Sequence, residues 1–141
     1  VFTICFIVLI VLPLKKKNIM EAKDLRIGNY VSTNDITIQK HEIRARDIYS
    51  MCNGDFDKYE LEIIPIPLTE EWLVKFGFED DNGLFILEDE SFRCSLLFHD
   101  IWTLDITDKI TDDETYHRGY YHVHQLQNLY FALTGEELTI K

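Results

Sequence analysis

The sequence predicts an α+β fold: a small N-terminal antiparallel β-subdomain, a linking helix, and an antiparallel meander packed by a C-terminal helix. Three observations predict it. Short runs with apolar residues at every second position recur between turn-forming clusters, as half-buried strands require. Thr69 to Gly77 carries the start and stop chemistry of a short helix. Leu126, Leu129, Tyr130 and Leu133 fall at i, i+3, i+4 and i+7, the stripe of an amphipathic helix.

Residues 1–19 stand apart from that plan. Val1 to Leu14 is almost wholly apolar, and Lys15-Lys16-Lys17 follows it. A spanning helix needs about 20 apolar residues, and Pro13 interrupts this shorter run. A secretory signal has its basic residues ahead of the apolar run rather than after it. Two readings of residues 1–19 remain. One is a short hydrophobic anchor that leaves the body of the protein inside the cell. The other is upstream sequence ahead of a start at Met20. The second is favoured, because the chain does not open on Met and the codons of Lys-Lys-Lys-Asn-Ile are A-rich, like a bacterial translation-initiation region.

Residues 20–67 form the expected β-subdomain. Gly28-Asn29 supplies a turn or bulge, and Tyr30-Val31 starts a strand. Ser32 to Asp35 is turn chemistry. Ile36–Lys40, Ile43–Arg46 and Tyr59–Ile64 alternate apolar and polar residues. On the second of these, Arg44 and Arg46 would share the solvent face. Asp47 to Ser50 reads as a short helical turn. Short strands with tight turns suggest a small curled sheet, compatible with an SH3-like barrel.

Residues 68–141 form the expected helix–meander–helix unit. Thr69 is placed as N-cap, its hydroxyl accepting an orphan backbone N–H. Glu70 and Glu71 suit the positive end of the helix dipole, and Gly77 suits the left-handed stop. Leu73 and Phe76 should face inward, flanked by Trp72 or Val74. Strands are expected at Leu84–Leu87, Phe92–Phe98 and Ile101–Ile106, with turns at Asp81–Gly83, Glu88–Ser91 and His99-Asp100. Thr107 to Gly119 reads as a polar loop. The final helix runs from about Val123 to Thr134, Gly135 ends it, and Leu138–Ile140 could add a last strand. Gln125, Gln127 and Asn128 are read as its exposed face, where an amide could cap a neighbouring strand edge.

Composition narrows the function. Hydrophobic residues make up 46% of the 141 residues, enough for a core. The net charge is −11, and no basic cluster exists outside Lys15–Lys17, so no nucleic-acid partner is expected. The three cysteines are widely spaced and form no Cys-x-x-Cys, which fits reduced thiols in a cytoplasm. No Walker loop, nucleophile elbow, His-Glu-x-x-His or dinucleotide glycine pattern occurs, and no cofactor is expected.

Three blocks are distinctive together: Leu25–Val31, Ile66-Pro-Leu-Thr-Glu-Glu-Trp-Leu-Val-Lys-Phe-Gly-Phe78, and Val123-His-Gln-Leu-Gln-Asn-Leu-Tyr-Phe-Ala-Leu-Thr-Gly-Glu-Glu-Leu-Thr-Ile140. In combination they resemble a group of small uncharacterised proteins of Bacteroidota genomes, their prophages and gut phages. The blocks span most of the chain after Met20. The resemblance implies a cytoplasmic protein of a mobile element or its host. It brings no activity, cofactor or catalytic residue with it.

The candidate site residues cluster late in the chain. His117, His122 and His124 lie close in sequence, with Asp112, Asp113 and Glu114 upstream. On a strand His-x-His points both rings one way, as a metal site uses, whereas on a helix the two diverge by about 200°. These residues underlie one functional reading, a small metal-dependent enzyme, and packed or solvated histidines are the alternative. Twelve acids between Glu79 and Glu114 face only Arg93 and Lys109. Solvated turns explain them, or an acidic surface that meets a basic partner or imitates DNA by spacing its carboxylates like phosphates. Tyr116, Arg118, Tyr120 and Tyr121 could make a partner-binding patch, or pack as a rim on the last helix. The leading expectation is a non-enzymatic accessory factor that binds another protein. A membrane contact is expected only through residues 1–19.

Overall fold

In the computed structural model of the chain, residues 20–35, 40–55, 62–119 and 121–141 are described. The chain opens with a 3-10 turn (Ala22–Asp24) and a tight turn at Gly28, φ +90°. The Asn29 amide oxygen accepts the Arg26 N–H at 2.7 Å and closes that turn. β1 (Tyr30–Thr33) follows and pairs antiparallel with β2 (His41–Glu42) on one side and β3 (Ile63–Ile64) on the other.

This sheet, ordered β2-β1-β3, is not a closed barrel. Both outer strands are two residues long, too short to carry a ladder round a closed circuit. The Ile43–Arg46 segment is not a strand either. Helix α1 (Ala45–Cys52) begins inside it, and the Asp47 carboxylate accepts the Arg44 N–H at 2.8 Å at its first turn. Four alternating residues fit a helix start as well as a strand, and here Ile43 is buried while Ile48 and Met51 continue the apolar face. The strand expected over Ile36–Lys40 falls on residues 36–39, outside the described residues. So do positions 59–61 of the Tyr59–Ile64 strand, and residues 1–19 with both readings of them.

α2 (Glu70–Phe76) leads to the second sheet. Thr69 takes the N-cap position in extended backbone, but its side chain makes no capping bond. Gly77 ends the helix at φ +89°. Leu73 and Phe76 are fully buried and Val74 is exposed. The Trp72 ring lies 5.8 Å from both Tyr30 and Phe76, which seats α2 on β1.

The second sheet is a five-stranded antiparallel meander in sequence order: β4 (Glu79–Asp81), β5 (Leu84–Glu88), β6 (Phe92–Phe98), β7 (Trp102–Asp108) and β8 (Glu114–Gly119). Two strands depart from the sequence reading. β4 consists of three exposed acids. It forms because Asn82 and Gly83 both take positive φ, the geometry of a two-residue hairpin. β8 and the end of β7 replace the polar loop expected over Thr107–Gly119. β8 is an edge strand, largely exposed, so no apolar alternation marks it.

α3 (Val123–Thr134) packs on the meander. Val123, Leu126 and Tyr130 join Phe85, Cys94, Leu96, Trp102 and Leu104 in the main core, and Leu129 and Leu133 pack half-buried at its margin. A smaller cluster of Met20, Leu25, Val31, Ile43 and Ile63 lies under the first sheet. β1 serves both, because alternate residues face opposite ways: Tyr30 enters the main core and Val31 the smaller one.

Gln127 is not on an exposed face. It is 2% exposed. Its Oε1 accepts the Tyr30 N–H at 2.8 Å, and its Nε2 donates to the carbonyls of Gly28 at 3.1 Å and Leu138 at 3.0 Å. The amide thus caps β1 and binds three segments at once. Leu138–Ile140 adds no strand. Its Leu138 carbonyl is taken by Gln127, and Lys141 N–H donates to Lys75 O at 3.0 Å. Among the described residues no helix is long and apolar enough to cross a membrane.

Candidate functional site

The histidines do different jobs. His122 is the N-cap of α3, and its backbone N–H donates to Gln125 Oε1 at 2.9 Å. His124, in the first turn, is 5% exposed, and its buried Nδ1 has no hydrogen-bond partner. Burial lowers its pKa to about 4, and neighbouring His122 adds to the effect, while Asp24 opposes it. The two rings stack 5.8 Å apart. His117, on β8, shares a 2.5 Å hydrogen bond between its Nδ1 and the Tyr121 hydroxyl. No group of three or more His, Cys, Asp or Glu is placed to hold a metal ion among the described residues. An open cleft of about 680 Å³ runs between the first turn and α3, lined by Lys23, Asp24, His122, His124, Asn128 and Leu129.

The tyrosine group divides likewise. Tyr121 belongs to the core, at 9% exposure, and is not a surface contact. Burial raises its pKa. Its carbonyl accepts the Leu68 N–H at 3.0 Å, where Pro67 and His122 form an isolated bridge. Tyr120 lies outside the described residues. Tyr116 and Arg118 stand exposed on β8, with Tyr116 at 65%.

These two residues belong to a wider surface. The helices cover one face of the meander, where Phe85, Cys94, Leu96, Trp102, Leu104 and Ile106 are buried. Strand alternation sends the intervening residues to the other face. Cross-strand register sets Leu84 against Leu97, Ile86 against Ser95, and Asp105 between Ser95 and Tyr116. Among the described residues no helix packs on this outer face, and Leu84, Ile86 and Leu97 are left half-buried. Asp105 Oδ1 is buried there without a hydrogen-bond partner. Sequence reasoning found Tyr116 and Arg118 but missed Leu84, Ile86, Leu97 and Asp105. For the three apolar residues, alternation within the strands was the available signal, since it puts them on a face opposite the core.

Much of the acidic run has a local use. Asp80 accepts the Gly83 N–H, Asp89 accepts those of Ser91 and Phe92, and Asp108 accepts those of Ile110 and Thr111. These carboxylates cap turns, and the two Asp89 bonds lower its pKa. Glu88 pairs with Lys109, which lowers the Glu88 pKa. Comparison of the chain with protein-family models, with curated proteins and with solved structures finds no match.

Proposed function

We propose that the protein is a non-enzymatic interaction factor whose outer sheet face docks another protein carrying a basic side chain. The observation behind this reading is the apolar centre of Leu84, Ile86 and Leu97 beside the buried, unbonded Asp105 Oδ1. A buried carboxylate oxygen without a donor costs free energy, and a Lys or Arg of the partner would supply that donor once the half-exposed Asp105 side chain turns to meet it. The apolar side chains would supply water-excluding area, while Tyr116 and Arg118 are residue types that dominate interface energetics. From the sequence resemblance we infer an accessory role in a phage or other mobile element, in the cytoplasm.

Affinity capture with the full chain from cells that make it, beside Ile86→Glu and Leu97→Glu, tests the reading. A specific protein partner should bind the wild type and be lost from both variants, with melting temperatures unchanged. A partner retained undiminished by both variants overturns it. Asp105→Asn should weaken capture, because a neutral amide attracts a basic side chain less.

A further inference from the structure

The two edges of the meander differ. β4 is three consecutive acids, Glu79-Asp80-Asp81, which repel a second copy of themselves. β8 reads Glu114-Thr-Tyr-His-Arg-Gly119, with an acid and a base each two residues from Tyr116.

Register shows which backbone groups of β8 point away from β7. Asp108 N–H donates to the carbonyl of Asp113, which stands directly opposite it, at 2.9 Å, so this is a bonded position of the β7–β8 ladder, although the Asp108 carbonyl itself accepts the Asp112 N–H. Opposed pairs alternate between bonded and unbonded. The bonded pairs are therefore Ile106 with Thr115, Leu104 with His117, and Trp102 with Gly119. Glu114, Tyr116 and Arg118 turn their N–H and C=O groups away from β7, to the side on which no strand pairs with β8 among the described residues. The side chains of these same three residues share the outer face.

We infer that β8 is the docking edge for a second copy of this chain, in a two-fold antiparallel pairing centred on Tyr116. That register sets Tyr116 against the partner's Tyr116 and Glu114 against the partner's Arg118, and the reverse on the other side. All three outward-facing residues meet as bonded pairs, two backbone bonds each. Both charge pairs are opposite in sign and directly across from one another, where such pairs stabilise. A slip of two residues sets a charge against Tyr116 and leaves another unpaired. A slip of four, or a parallel alignment, sets like charges together. The strand's own sequence thus selects one register. The inference rests on β8 alone and stands whether or not the outer face binds a different protein.

Charge reversal tests it on the full chain by analytical ultracentrifugation. The wild type should self-associate. Glu114→Arg and Arg118→Glu should each weaken the dimer at least tenfold, since each sets like charges across both ends. The double variant Glu114→Arg/Arg118→Glu should return to within about threefold of wild type, because it exchanges the pairs. Tyr116→Pro should give monomer with its fold intact, because the N–H it removes faces outward. Amide exchange on the wild type gives an answer independent of any variant. Glu114, Tyr116 and Arg118 should gain protection as concentration rises, and Thr115 and His117 should not. A wild type that stays monomeric to about 1 mM, single reversals that dimerise undiminished, or no concentration-dependent protection at those three amides would each overturn the inference.

Discussion

Replacing Gln127 by Met removes one amide and keeps the unbranched reach of the side chain. Three backbone groups then lose their partner: Tyr30 N–H, Gly28 C=O and Leu138 C=O. The bonds to Tyr30 and Leu138 are buried, while the Gly28 carbonyl is partly open to solvent and can recruit water. A buried backbone group left unsatisfied costs about 1–3 kcal/mol, so the two buried ones together cost about 2–6 kcal/mol. The thioether gains back less than about 1 kcal/mol of apolar burial. A net loss of about 3 kcal/mol is expected, a large part of the roughly 5–15 kcal/mol that holds a domain of this size. Urea unfolding followed by the fluorescence of Trp72 and Trp102 measures it. Gln125→Met is the control: that side chain is exposed and should cost less than about 1 kcal/mol. A Gln127→Met protein within about 0.5 kcal/mol of wild type would refute the argument, since it would mean the three groups find other partners.

Acid should destabilise the protein through His124. Its pKa of about 4 lies below the ordinary 6.5, so between those pH values the folded state binds fewer protons than the unfolded chain. Stability therefore falls as pH drops through that window, by at most about 3.5 kcal/mol at roughly 1.4 kcal/mol per pH unit. His124→Leu should flatten that part of the curve, and an unchanged slope counts against the assignment. The thiols should react unequally. Burial pushes Cys94 up to about 12, whereas Cys52 is exposed. Mass-mapped alkylation of the native protein should label Cys52 and spare Cys94 until urea unfolds the chain. Leu126→Ala should cost about 2–5 kcal/mol as a fully buried truncation, and Leu129→Ala clearly less; equal losses by calorimetry would contradict the packing described.

Elements with a strong period or a clear turn were legible in the sequence. The Leu126–Leu133 stripe marks α3, and Gly77 and Gly135 mark helix ends because both need positive φ. β8 was hidden because an edge strand bonded on one side and exposed on most positions has no apolar alternation. β4 was hidden because acids have low strand propensity, and its existence depends on the Asn82-Gly83 turn and on β5 beside it. Gln127 was misplaced for a tertiary reason: on the helix alone its amide belongs to solvent, and only β1 and the Leu138 segment make burial favourable. The site divided along the same line. Tyr116 and Arg118 were readable as exposed residue types, but Tyr121 was drawn into the core by the Pro67–His122 bridge, which joins segments far apart in the chain. Asp105 carried no signal at all, since its isolation arises from which strand faces stay open.

The bonds between β1 and α3 also bear on the order of events in time. Each meander strand pairs with its sequence neighbour, and such hairpins close within microseconds. Tyr30 instead waits for Gln127, 97 residues away, Asn29 for Asn128, 99 away, and Arg26 for Glu137, 111 away. Closing such long loops is slow. The first sheet, synthesised before the meander, should therefore be completed after it. Pulse-labelled amide exchange during refolding should protect Leu96 and Leu104 before Tyr30. Until α3 arrives, the unbonded Tyr30 N–H and the surrounding apolar surface are open to chaperones and proteases.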